Sequence, residues 1–137
     1  MKLTVFGEAD NIRRFYNMLV ADTEWMDDPP KEDDEYILAD GISWADLTMD
    51  KDNGLTIGII EGETKYSVRE WNYRTDKAWP SADGKKVLVT FDMLTKILDL
   101  DVIIDGYYPC ESEVTEARFC CGYKMYFHIY EYKEEEE

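Results

Sequence analysis

Histidine is almost absent from this chain. His128 is the one copy, and three cysteines, Cys110, Cys120 and Cys121, accompany it. A structural zinc site takes four nitrogen or sulfur ligands at short, regular spacings, which this set does not provide. An odd cysteine count with two of the three adjacent argues against a disulfide framework and fits a reducing compartment. Basic residues are the second shortage: 15 lysines and arginines face 31 acids, for a formal charge of −16. A field of that sign repels phosphates, anionic lipid and acidic substrates and attracts basic surfaces. Direct nucleic-acid binding is therefore disfavoured. No apolar run approaches the roughly 18 residues of a membrane span. The opening MKLTVFGEAD lacks the apolar segment of a secretory signal, and the expectation is a soluble, cytoplasmic protein. Gly54, Gly58, Gly62 and Gly84 match neither Gly-x-Gly-x-x-Gly nor a Walker loop, so no phosphate cradle is read. No cofactor is expected.

What is present points to a folded chain with an unusual exterior. Hydrophobic residues make up 45% and aromatics 14% of the 137 residues, enough for a core. KLTVFGE reads as a first strand ended by Gly7. Asp10 is then a candidate N-cap for a helix whose stripe is Ile12, Phe15, Tyr16 and Leu19, at i, i+3, i+4 and i+7. Pro29 and Pro30 prevent its continuation. Asn53-Gly54 lies between two apolar runs, a hairpin signal because both residues tolerate positive φ. TKYSVREWNY continues the β pattern. A second helix is placed in VLVTFDMLTKILDL, with Phe91, Leu94, Ile97 and Leu98 on one face and Thr90 or Asp92 as cap. DVIIDGYY is a further strand. ARFCCGYKMYFHIYEY alternates and reads as a long strand or a hairpin bent around Gly122. The order predicts one α+β domain over residues 1–132, an antiparallel sheet with both helices on one face, and a disordered acidic tail at 133–137.

LTVFGEADNIRRFYNML opens like a split β-α-β domain. MLTKILDLDVIIDGYYPCESEVTEARFCCGYKMYF then runs from a helix to a strand ending in paired tyrosines. An acidic turn and a strand beginning Phe-Cys-Cys-Gly-Tyr follow. This succession resembles the YubB ferredoxin-like family carried by phages and conjugative plasmids, and REWNYRTDKAW stands where that family has a Trp-rich segment. The resemblance implies a ferredoxin-like antiparallel sheet, two helices on one face, an extra β-hairpin insertion and a mobile-element context. It implies no activity.

Catalytic readings are weak. His128 with Cys120 or Cys110 would make a thiol–imidazole pair, but no nucleophile signature accompanies it, and a strand histidine among tyrosines is the plainer reading. Asp50, Asp52 and Asn53 suggest a calcium loop, yet Gly54 arrives one place early and LTIGII before Glu61 reads as strand. No catalytic or metal residue is expected. Arg118, Lys124, Tyr126, His128, Tyr130 and Tyr132 are expected on one face of the last strand, an arrangement that suits stacking with nucleic-acid bases or a small ligand. The overall charge opposes the former.

The densest feature is DDPPKEDDEY, residues 27–36, with six carboxylates, one lysine and two prolines. Such a run is ordinarily a solvated loop. Here, nine residues span at most ~30 Å, so the carboxylates stand about 5 Å apart or closer. That approaches the ~3.4 Å axial charge spacing of one nucleic-acid strand. Acids recur at Asp40, Asp46, Asp50 and Asp52, at Asp99, Asp101 and Asp105, and at Glu111, Glu113 and Glu116 before the last strand. The expectation is a non-enzymatic acidic inhibitor from a phage or mobile element, blocking a basic defence nuclease by mimicking nucleic-acid charge. Asp27, Asp28, Glu32, Asp33, Asp34 and Glu35 would meet the partner's cations, with Trp25 and Tyr36 as aromatic anchors. An immunity protein or antitoxin against a basic toxin fits the same surface, and a binding module using the tyrosine face is the third reading.

Overall fold

The computed structural model describes residues 1–20, 36–38, 42–52, 55–64, 78–80, 84, 86–108 and 112–131. Its elements are β1 (Lys2–Gly7), α1 (Ala9–Val20), β2 (Tyr36–Leu38), β3 (Ile42–Asp52), β4 (Leu55–Thr64), β5 (Ala78–Pro80), β6 (Val87–Val89), α2 (Phe91–Leu98), β7 (Asp101–Tyr108), β8 (Glu113–Cys120) and β9 (Tyr123–Glu131). The protein is α+β. Six strands form one antiparallel sheet in the order β3-β4-β1-β7-β8-β9, and β2, β6 and β5 form a small second sheet. Of the TKYSVREWNY segment, Thr64 ends β4, and residues 65–73, like Asn53-Gly54 and the tail at 133–137, lie outside the described residues. The strands flanking Asn53-Gly54 pair with Asp52 opposite Leu55, the register a two-residue connection sets.

Both helices lie on one face of the six-stranded sheet, α1 over β1, β3 and β4 and α2 over β8 and β9. Ile12, Phe15, Met18 and Leu19 of α1 are buried there against Leu3, Val5 and Ile60. Gly58 permits this approach, since a Cβ at that position would stand 2.6 Å from Ile12 Cγ2. Asp10 does not cap α1. The Ile12 N–H donates to the Glu8 carbonyl, which places the helix start two residues earlier, and Asp10 instead accepts from Arg13 within the first turn. In α2, Phe91, Leu94 and Leu98 point inward, whereas Ile97 is 40% exposed. At about 100° per residue, Ile97 falls roughly a third of a turn off the stripe, and the buried neighbour is Thr95. Thr90 occupies the N-cap position with its hydroxyl on Asp92 rather than on the backbone.

Four phenylalanines tie the layers together. Phe15 meets Phe91, Phe91 meets Phe119, and Phe119 meets Phe127, each edge to face with centroids 5.7, 5.2 and 6.3 Å apart. Such contacts add about 0.5–1.5 kcal/mol each beyond the area they bury. The last two strands form a hairpin around Cys121-Gly122, whose φ values of 51° and 93° give the two positive-φ positions a tight twisted turn requires. That turn is fastened to the end of α2. The Cys121 N–H donates to the Leu100 carbonyl and the Gly122 N–H to Thr95 Oγ1, both at 3.0 Å.

Candidate anionic interface

The face away from the helices gathers acidic side chains from several strands. Alternation sends Lys2, Thr4 and Phe6 of β1 to this side, along with Ile57, Ile59, Glu61 and Glu63 of β4. Asp101, Ile103, Asp105 and Tyr107 of β7 join them, as do Val114, Glu116, Arg118 and Cys120 of β8. Among the described residues, no side chain on this face is buried. Together with Asp46 and Asp50 of β3, it carries seven carboxylates, against Lys2 and Arg118.

The strand register gathers these charges. One row crosses the whole sheet: Asp46, Glu61, Lys2, Asp105, Glu116 and His128, from six successive strands. Asp46 directly opposes Glu61, and Asp105 directly opposes Glu116. Like charges in that relation destabilise a sheet. Lys2 stands between the two acidic pairs. The next row, Thr48, Ile59, Thr4, Ile103, Arg118 and Tyr126, is largely apolar at its centre. Beyond it lie Asp50 and Asp101, with Ile57 and Phe6 between them. A half-buried apolar strip is thus bordered by carboxylates on both sides.

Arg118 is already engaged. Its Nε donates to Asp101 Oδ1 at 2.9 Å and its Nη2 to Oδ2 at 2.5 Å, a bidentate pair. That hydrogen-bonded carboxylate raises the guanidinium pKa further above its ordinary value. The pairing sets the arginine's charge against Asp101, and the transverse row is net negative on its own, with four carboxylates against Lys2.

At the β9 edge the rings of Tyr126 and His128 stack with centroids 5.6 Å apart and planes 15° apart, and Tyr130 follows at 6.2 Å from His128. Lys124 does not join them. A bulge makes Met125 the extra residue, so Lys124 pairs opposite Phe119, whereas Tyr126 pairs opposite Arg118. Tyr132 lies outside the described residues.

Of the expected contact residues, Tyr36 is described: it begins β2, is half-buried and packs against the core. Trp25, Asp27, Asp28, Glu32, Asp33, Asp34 and Glu35 lie outside the described residues. Glu113 departs from the expected solvated turn. It starts β8 on the helix face, 3% exposed, with Thr115 Oγ1 donating to its Oε1 at 3.4 Å.

The thiol–imidazole pair is not assembled between Cys120 and His128. His128 opposes Glu116, four residues along β8 from Cys120, a separation of roughly 13 Å. Cys110 lies outside the described residues. Cys121 Sγ donates to Asp99 Oδ1 at 3.1 Å and lies 3.8 Å from Cys120 Sγ. The bond to Asp99, then burial, pushes its thiol up to about 12, the opposite of what a nucleophile needs. Among the described residues, no group of three or more His, Cys, Asp or Glu is arranged to hold a metal ion. No helix among them is long and apolar enough to cross a membrane. A cleft of about 460 Å³ at the start of α1 mixes Asp10 and Asp50 with Arg13 and Lys51, and Arg13 is spent on Asp10. The chain matches none of the family models, curated proteins or solved structures with which it was compared.

Proposed function

We propose that this chain is a non-enzymatic inhibitor from a phage or other mobile element, acting in the cytoplasm of a host bacterium. It occupies the nucleic-acid channel of a basic defence nuclease, a CRISPR effector or a restriction enzyme, by presenting phosphate-like charge. The observation that carries the reading is the pair of directly opposed acidic couples, Asp46 with Glu61 and Asp105 with Glu116, all four exposed on the sheet face away from the helices. Lys2 stands against the inner member of each couple, leaving the outer acids, Asp46 and Glu116, for a cationic partner to relieve. Neighbouring strands lie ~4.8 Å apart, so the row from Asp46 to Glu116 crosses roughly 19 Å. Strand twist of about 20–25° per step fans its carboxylates helically, as phosphates are fanned along a duplex. The framework is stiff, and little ordering entropy is lost on association. The acidic residues 27–35 add to the chain's net negative charge, and Asp27, Asp28, Glu32, Asp33, Asp34 and Glu35, with Trp25 and Tyr36, are the further contact residues of this reading.

The mobile-element setting is inferred from the sequence resemblance to the YubB ferredoxin-like family. We read the elements β1-α1-β3-β4-α2-β7, in the sheet order β3-β4-β1-β7, as a ferredoxin-like core, with β8 and β9 as the extra hairpin at the β7 edge. An immunity protein or antitoxin against a basic toxin would use the same surface.

The test is inhibition of a panel of basic nucleases by the full chain, in competition with duplex DNA. The quadruple variant Asp46→Asn, Glu61→Gln, Asp105→Asn, Glu116→Gln should lose inhibition, and wild-type inhibition should fall steeply with salt. Undiminished inhibition by the variant, or inhibition indifferent to salt, overturns the reading.

A further inference from the structure

Arg118 shows what one row of the open face does with a guanidinium. Asp101 grips it at both nitrogens, and Tyr126 stands opposite on β9. The row beside it also joins carboxylates to an aromatic edge strand, and its one cation is Lys2, set opposite Asp105 on the side away from Glu116. Asp105 and Glu116 set two carboxylates side by side, His128 opposes Glu116, and Tyr126 and Tyr130 flank His128 along the strand. No arginine stands in that row on any of the six strands. Tyr126 is 36% and Tyr130 51% exposed, so their rings are open to a partner.

We infer that this end of the face, Asp105 and Glu116 with Tyr126, His128 and Tyr130, seats an arginine side chain of the partner protein. The inference rests on the cationic partner proposed above and names which cation it offers. Two acids attract either basic residue, but a planar, weakly hydrated guanidinium donates to carboxylate oxygens in its plane while stacking on aromatic rings, and an ammonium does not. The same charges exclude a nucleic-acid strand, whose phosphates would lie against Asp105 and Glu116. The tyrosine ladder therefore reads a protein, not bases.

The experiment uses the full chain with octa-arginine and octa-lysine peptides, equal in charge, and a single-stranded oligothymidine, with affinities measured by calorimetry. Octa-arginine should bind about fivefold more tightly than octa-lysine, a ratio in keeping with exposed cation–π contacts. In Tyr126→Leu/Tyr130→Leu that ratio should fall to about one, with octa-lysine affinity within about twofold of wild type. Equal affinities in the wild type, an arginine preference that survives the double variant, or oligothymidine binding as tightly as octa-arginine would overturn the inference. Should the double variant fail to fold, Tyr130→Leu and Glu116→Gln singly are to be measured; each should reduce octa-arginine binding more than octa-lysine binding, or the inference fails. Because no nuclease enters the measurement, an intact arginine preference without nuclease inhibition supports the arginine seat and discards only the inhibitor reading.

Discussion

Removing charge from the open face should make this protein more stable while making it a worse binder. Asp46 and Glu116 are the informative pair. Each is the outer member of an opposed acidic couple, and neither lies directly beside Lys2. Directly opposed side chains have Cβ atoms about 4.5–5.5 Å apart. Two unit charges at ~5 Å in water repel by about 0.8 kcal/mol. Screening at 0.15 M salt, with a Debye length of ~8 Å, roughly halves that. Asp46→Asn with Glu116→Gln relieves both couples and should stabilise by about 1 kcal/mol, raising Tm by about 3 °C for a domain of this size. Melting curves by circular dichroism at low and at 0.5 M salt provide the assay. The gain should be largest at low salt and nearly vanish at high salt. A double variant that melts lower than wild type, or whose gain is the same at both salt concentrations, would show that these carboxylates do not repel across the sheet as their register requires. The inhibition proposed above should weaken in the same variant, an outcome that would distinguish a functional surface from a merely solvated one.

Three further outcomes follow from packing and protonation. Gly58→Val brings a side chain onto Ile12, where even a Cβ is 2.6 Å from Cγ2; α1 must shift, at about 1–3 kcal/mol, measured by urea denaturation. Phe91→Ala removes the middle of the phenylalanine chain and should cost about 3–5 kcal/mol, with α2 amides losing hydrogen-exchange protection first. The Cys121 thiol, raised from 9.0 to about 12, favours the native state fully below pH 9, and that contribution is lost as pH climbs from 9 through about 12. Asp99→Gly keeps the left-handed backbone at Asp99 while deleting the acceptor, and should speed alkylation of Cys121 by iodoacetamide at pH 8, read by mass spectrometry.

Local pattern and tertiary arrangement contributed differently to this molecule. The sequence alone specified both helices, because their apolar stripes have a period near 3.6, and most of the strands, because alternation declares which residues share a side. Its charge and lack of histidine, read directly, define what the exterior attracts and how little metal or imidazole chemistry is on hand. Tertiary structure decided which strands are neighbours. Asp46, Glu61, Lys2, Asp105, Glu116 and His128 are scattered over more than half the chain, and only the order β3-β4-β1-β7-β8-β9 with its register makes them one row. It also decided the small displacements that local patterns miss. A single extra residue at Met125 moves Lys124 off the tyrosine face, and Glu113 is drawn into the helix-side layer because it begins a strand rather than a turn. Periodicity acts between residues a few positions apart, whereas the field a partner feels is summed over strands brought together from distant parts of the chain. Composition therefore announces the sign of that surface, and pairing alone determines its geometry.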